Sequence, residues 1–279
     1  MIVLSFWTAL RSCCAHRRCW LVGSLLCACF LSGAIAHADV PLRLSSGSLQ
    51  TPLVELYTSQ GCSSCPPADR WLAQLADTDG LWRRYVPLAF HVTYWDYLGW
   101  RDRFAQPAHD ARQRALAKRV SSGVYTPGVF LQGREWRNWR RPGASTARWQ
   151  QQQPLVGVLQ AKVNCAGAEI QFVKDPQAAQ LPTHVEWAWL LSGQRSDVSR
   201  GENRGRELHH EFVVAKHRRV RLHSVPAAAG LQGRVSARFA DACAEAGTPQ
   251  AVAIWVTDPQ GNPIQAVGGY LPEGFDPAL

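Results

Sequence analysis

The sequence predicts an α/β domain over residues 39–153 followed by an all-β, sandwich-like domain over residues 154–279. Three observations support this. Strand and helix patterns alternate up to about residue 150, which argues for helices layered on a central sheet. A QQQQP run at 150–154 then marks a boundary. Beyond it come short apolar runs separated by turn signals, the pattern of a sandwich.

The first 38 residues are read apart from both domains. They hold three arginines, no acidic residue, an apolar run of about 16 residues and small residues at Ala36 and Ala38. That order is a secretory signal peptide, and the apolar run is short for a span needing about 20 residues. The expectation is an exported, periplasmic or secreted protein. Five of nine cysteines lie in this leader, leaving Cys62, Cys65, Cys165 and Cys243. An even number in an oxidising compartment favours two pairs. The formal charge is +9, and removing the three leader arginines leaves 27 basic against 21 acidic residues. Such a balance supports solubility without implying a nucleic-acid partner.

Leu53–Thr58 is an apolar strand entering a glycine turn. Residues 66–76 carry Ala68, Trp71, Leu72, Leu75 and Ala76 at helical spacing behind two prolines suited to a first turn. Residues 85–92 read as a second strand, 107–120 as a second helix and 124–131 as a third strand, with a closing helix expected at 145–153. In the second part, strands are expected near 155–163, 168–173, 184–191, 207–215, 218–223, 233–239, 250–257 and 264–271. Val185, Trp187, Trp189 and Leu191 alternate along one of them.

Chemistry centres on C-S-S-C at Cys62 and Cys65, delivered by the first strand to the start of a helix. There, unpaired N–H groups and the helix dipole favour thiolate over thiol. Cys62 would be the exposed nucleophile and Cys65 the resolving thiol. A zinc site would need more ligands: no second C-x-x-C exists, and His91 would still leave the set short. Copper(I), content with two soft thiolates, and an inert structural disulfide are the alternatives. Exchange through the pair needs no cofactor.

Four stretches, VELYTSQGCSSCPPADRWLAQLA, LAFHVTYWDYLGWRDRFAQPAHDARQRALA, VYTPGVFLQG and RGENRGRELHH with the strand after it, resemble in this order the secreted thioredoxin-like proteins called domain of unknown function 1223. The resemblance covers about residues 50–272 and implies a thioredoxin-like first domain, secretion and a Cys62/Cys65 site, without a substrate. In thioredoxin-like folds a cis-proline lies against the cysteine pair, and the residue before it offers backbone groups to substrate. Pro127 and Thr126 are the candidates, the alternative being a trans proline opening an edge strand. Glu55, on the strand leading to Cys62, is expected to be buried beneath the pair and to take the proton from Cys65. It stands one residue further from the first cysteine than the thioredoxin acid does, and the alternative is a strand residue facing solvent. Two departures from the family pattern are Thr93, where an Asp is expected, and Gly128, where a larger residue is usual.

Tyr94, Trp95 and Trp100 (HVTYWDYLGW) either form a wall for an unfolded peptide or cover the core, and the second reading is preferred. The polar run 200–210 could present Glu202, Asn203 and Arg204 to a ligand or to the other domain, but reads more simply as a hairpin loop. Two basic runs, GREWRNWRR and KHRRVRLH, are too short and too strand-like to indicate nucleic acid. Cys165 and Cys243 sit in expected turns; joined, they would close a loop worth about 4 kcal/mol in chain entropy. The resulting expectation is an exported thiol–disulfide oxidoreductase acting on protein thiols or disulfides with an unidentified redox partner. The alternatives are a binding module with a passive disulfide and a copper(I) carrier.

Overall fold

The computed structural model describes residues 41–141, 149, 153–164, 167–179, 181–224, 234–240, 249–272 and 275. Residues 39–279 form one compact unit. Its first half contains β1 (Leu42–Ser45), β2 (Leu53–Thr58), α1 (Pro66–Ala73), β3 (Val86–His91), α2 (Pro107–Arg119), β4 (Gly128–Leu131) and β5 (Arg134–Glu135). There follow β6 (Gly157–Asn164), β7 (Gly167–Lys174), β8 (His184–Leu191), β9 (Gln194–Asp197), β10 (Glu207–His210) and β11 (Val213–Arg221). The last strands are β12 (His223–Ser224), β13 (Arg234–Ala240), β14 (Ala251–Thr257) and β15 (Pro263–Tyr270).

The expected fold class is wrong. The protein is β-rich rather than an α/β thioredoxin-like domain followed by a separate sandwich. Only two α-helices occur among the described residues, against strands in three sheets. The largest sheet has eight strands in the order β15-β14-β8-β11-β3-β2-β4-β5, so it draws from both sides of the QQQQP run. The join is a parallel contact in which Val213 of β11 pairs with Ala89 of β3. Without β11, β3 would present an open row of N–H and C=O groups, an arrangement proteins avoid. Sequence periodicity reports which face of a strand is apolar; it does not report which strand lies alongside.

Inside this sheet β2 and β3 are parallel, from Leu53↔Val86 to Thr58↔His91, while β4 runs antiparallel to β2. α2 covers one face, where Leu116 meets Tyr57, Phe90 and Trp255. α1 covers the opposite face, setting Ala68 and Leu72 on Val54, Leu56 and Ala89. Also off that face lies the second sheet, β1-β6-β7-β13-β12, with Leu159, Ile170 and Phe172 against Trp187, Trp189 and Ile254. This sheet alternates: Leu159, Ala161 and Val163 point inward, while Gln160 and Lys162 point outward. β9 and β10 form a separate two-stranded ribbon inserted between β8 and β11.

Candidate functional site

β2 ends at Thr58, and the chain turns through Ser59, Gln60 and Gly61 before α1. The turn is closed by Cys62 N–H donating to the Ser59 carbonyl (3.2 Å) and Gly61 N–H donating to Ser59 Oγ (3.1 Å). Gly61 is required by space, because a Cβ there would lie 2.9 Å from Trp95 Cβ. Cys65 is the N-cap of α1, and its carbonyl accepts from Ala68 and Asp69 N–H. Two prolines occupy the first turn, where their missing N–H groups cost nothing. Cys62 and Cys65 are joined as a disulfide with Cα atoms 5.5 Å apart. Both are buried, Cys62 at 1% and Cys65 at 0% exposure, so the expectation of an exposed Cys62 does not hold in this conformation.

The Thr126–Pro127 peptide bond is cis. Gly128 follows it and pairs with Tyr57, which sets Thr126 and Pro127 at the end of β2 that leads to Cys62. Trp95 ties the two loops together: its Nε1–H donates to Thr126 Oγ1 (2.7 Å), while its Cβ packs on Gly61. A larger residue at Gly128 would be tight, since its Cβ would meet the Tyr125 carbonyl at 3.0 Å. Thr93 donates Oγ1–H and N–H to the Asp110 carboxylate; an Asp there would face a like charge. Of the aromatics after β3, Tyr94, Trp95 and Trp100 are half-buried and Tyr97 is exposed.

The segment expected as a plain hairpin loop reaches the backbone of the Cys62 turn. Asn203, between β9 and β10, is fully buried, and its Nδ2 donates to the carbonyls of Gln60 and Cys62, both at 2.9 Å. Glu202 accepts from Ser63 N–H (2.9 Å), and Ser63 holds its carboxyl below the usual range. The surrounding Arg200, Arg204, Gly205 and Arg206 are exposed. The loop tip is thus fastened to the backbone on both sides of Cys62.

Beneath the turn lies a buried polar cluster that the sequence did not reveal. Trp100 Nε1–H donates to Gln60 Oε1 (2.9 Å), and because an indole N–H only donates, the Gln60 amide is fixed. Its Nε2 then faces Ser196 Oγ (2.9 Å) and His210 Nε2 (3.3 Å). His210 Nε2 must accept, which places its proton on Nδ1, 3.8 Å from Asp69 Oδ1. Asp102 accepts from Gln60 N–H and from His91 Nδ1 (2.7 Å). Burial works against the charge on both partners of that pair. Each nevertheless stabilises the other, so Asp102 is lowered and His91 raised. The His91 and His210 rings meet edge to face at 4.8 Å.

Glu55 is buried, but not beneath the cysteines. Alternate strand residues face opposite sides, and Glu55 shares the α2 face with Leu53 and Tyr57, away from α1. Its carboxylate accepts from Tyr57 Oη (3.0 Å) and Arg112 Nε (3.1 Å). Arg112 also donates to Glu186 (2.5 Å), which is held by His217 as well (2.9 Å). Burial pushes Glu186 up, but Arg112 outweighs it and brings it to about 2. The expected role of Glu55 as proton acceptor for Cys65 is thus corrected to a buried ion-pair partner.

Cys165 and Cys243, the expected second disulfide, lie outside the described residues, as do the leader and most of the expected closing helix. No group of three or more His, Cys, Asp or Glu among the described residues is placed to hold a metal ion. His91, the extra ligand considered for a metal, has its Nδ1 engaged by Asp102. Among the described residues no helix is long and apolar enough to cross a membrane.

A family model described as "Protein of unknown function (DUF1223)" matches residues 53–257. None of the curated proteins matches the chain. Two solved structures are similar in fold. One is the crystal structure of an Agrobacterium tumefaciens protein, 24% identical, with a TM-score of 0.59, covering 81% of this chain and 96% of that one. The other is HBP35 of Porphyromonas gingivalis, 13% identical, with a TM-score of 0.56, covering 82% and 77%.

Proposed function

Because the chain belongs to the DUF1223 family, whose description assigns no reaction, we propose from the site itself that it is an exported thiol–disulfide oxidoreductase working through Cys62 and Cys65. One observation carries the reading: a disulfide at a strand-to-helix junction lies on the same sheet end as the Thr126–Pro127 loop, with the loop tip between β9 and β10 bonded to the Cys62 carbonyl. Export rests on the leader and its charge, apolar core and small-residue order. The substrates are protein dithiols or disulfides.

With the loop tip displaced, a substrate thiolate attacks Cys62 Sγ. The S–S bond breaks, a mixed disulfide forms, and Cys65 leaves as a thiolate that takes up a proton. The second substrate thiol, losing its proton, attacks the substrate sulfur of the mixed disulfide and releases Cys62. The substrate is oxidised by two electrons to a disulfide and the pair is reduced to a dithiol; the reverse sequence reduces a substrate.

Burial of both cysteines favours a second reading, a binding module with a passive staple. The reduction potential separates them. Equilibrating the protein in glutathione buffers and trapping free thiols should give a value between roughly −270 and −120 mV, as in known C-x-x-C proteins, and Cys62→Ser should abolish it. A potential well below about −300 mV marks a structural bridge and overturns the exchange reading.

A further inference from the structure

The two residues between the cysteines, Ser63 and Ser64, are exposed and carry no charge. Cys62 Sγ lies 3.3 Å from Ser64 Oγ, so a substrate comes to the sulfur beside this exposed pair. The tip between β9 and β10 rests at the same place: Glu202 accepts from Ser63 N–H, and Asn203 donates to the Cys62 carbonyl. Three arginines surround those two tip residues. Arg206 Nη1 donates to Asn203 Oδ1 (3.1 Å), which turns Nδ2 toward the carbonyls of Gln60 and Cys62. Arg206 thus holds the tip. Arg200 and Arg204 hold nothing: both are exposed, and their side chains make no hydrogen bond or ion pair among the described residues.

The carboxylates of the turn and the tip are engaged or enclosed. Glu202 is bonded to Ser63, Asp102 is paired with His91, and Asp69 is buried. Asp197 and Glu207 stand opposite each other on the ribbon behind the tip, with Arg195 and His209 against Glu207. Arg70, exposed on α1, adds one more positive charge. An uncharged C-S-S-C motif therefore lies next to a loop whose unpaired charges are positive. Such a patch raises the local concentration of partners of the opposite sign. Resting on the exchange reading, we propose that Arg200 and Arg204 are specificity residues that select protein substrates with acidic residues flanking the reacting cysteine. They act by attraction at a distance and by guanidinium–carboxylate contact, before the sulfur atoms meet, and take no part in the bond exchange itself.

The test uses reduced protein and two short peptides, each joined through its cysteine to 2-thiopyridine, one with Asp and one with Lys on both sides of that cysteine. Cys62 thiolate attacks the peptide sulfur, and the S–S bond breaks to release thiopyridone, whose absorbance reports the rate. Cys65, losing its proton, then attacks Cys62 Sγ, and the peptide leaves as a thiolate that takes up a proton. The protein dithiol is oxidised by two electrons and the peptide disulfide is reduced. At about 0.01 M salt, where charges are felt over about 30 Å, the parent should favour the Asp peptide. In Arg200→Gln/Arg204→Gln the ratio of the two rates should fall about tenfold, the lower end of steering effects, and Arg200→Glu/Arg204→Glu should reverse the preference. Comparing ratios between proteins cancels the peptides' own reactivity. At about 1 M salt, where the range is about 3 Å, the parent's preference should vanish. A ratio that neither substitution changes overturns this proposal alone, because any preference then comes from the charge of the whole protein. If the variants do not fold, a parent ratio indifferent to salt overturns it instead. Thiopyridone released as fast by Cys62→Ser as by the parent sinks the exchange reading, and this proposal with it.

Discussion

Arg112 shows what one side chain contributes on the face away from the cysteines. It stands between two carboxylates that are almost wholly buried, Glu55 and Glu186. Its own proton is held tightly: burial opposes the charge, but Glu186 and Glu55 outweigh it and push the guanidinium pKa upward. Removing one member of such a group leaves the others uncompensated, which typically costs about 3–5 kcal/mol. Arg112→Met is therefore expected to lose about that much in urea unfolding. Adding Glu186→Gln should recover part of the loss, since one unpaired charge disappears. A loss below about 1 kcal/mol would mean that water reaches the carboxylates and that this buried cluster is not as drawn. The sequence placed Glu55 on the right strand and in the interior, but not on the right face, because it contains no mark of which helix will cover which side.

At the scale of elements, the informative piece is the β9–β10 ribbon with its tip. Its polar composition read as a solvent loop, and most of it is one: Arg200, Arg204 and Arg206 are exposed. Asn203 at the tip is buried, as are Ser196, Val198, Leu208 and His210 on the ribbon, and no local pattern could reveal that an amide here would meet carbonyls about 140 positions earlier in the chain. The short elements around the cysteines were easier to read. The two prolines and the C-x-x-C spacing act locally and specify the start of α1, whereas Gly61 answers to Trp95, 34 positions on. If the tip controls access to the disulfide, weakening it should expose the sulfur without unfolding the sheet. Asn203→Ala removes two hydrogen bonds, each with a net value near 0.5–1.5 kcal/mol. Reduction by dithiothreitol, followed by the appearance of free thiols, should accelerate about tenfold, while the unfolding midpoint of the reduced protein moves little. Equal reduction rates in parent and variant would show that something other than the tip limits access.

For the whole molecule, some strand positions were legible and sheet partners were not: the strands expected at 207–215 and 218–223 are instead β10 (Glu207–His210) and one long β11 (Val213–Arg221). Leu53–Thr58 and His184–Leu191 were read with the bounds they have, yet the union of β3 with β11 made one β-rich unit out of what read as two parts. That union also decides how the protein meets acid, because it buries titratable groups beneath α2. His109 packs on Phe90 and donates from Nδ1 to the His91 carbonyl. Burial lowers its pKa to about 3. Between about pH 6.5 and 3 the unfolded chain thus binds a proton that the folded chain refuses, so stability falls as pH falls through that window. His217, lowered first by burial, acts with the same sign. Glu186, depressed to about 2, adds its own loss only below about pH 4.5, where the unfolded carboxylate begins to protonate. His91 works in the opposite sense: its raised pKa gives stability that is complete below about 6.5 and lost as pH rises through the folded value. These groups thus cost stability on both sides, His109 and His217 as pH falls and His91 as it rises. One pH unit across a fully linked group is worth about 1.4 kcal/mol, so His109 alone should remove about 2–3 kcal/mol between pH 6.5 and 4.5. Unfolding free energies measured by urea titration across that interval test this directly. The decline should shrink in His109→Gln, which cannot titrate, and an unchanged slope in that variant would assign the acid sensitivity to other groups.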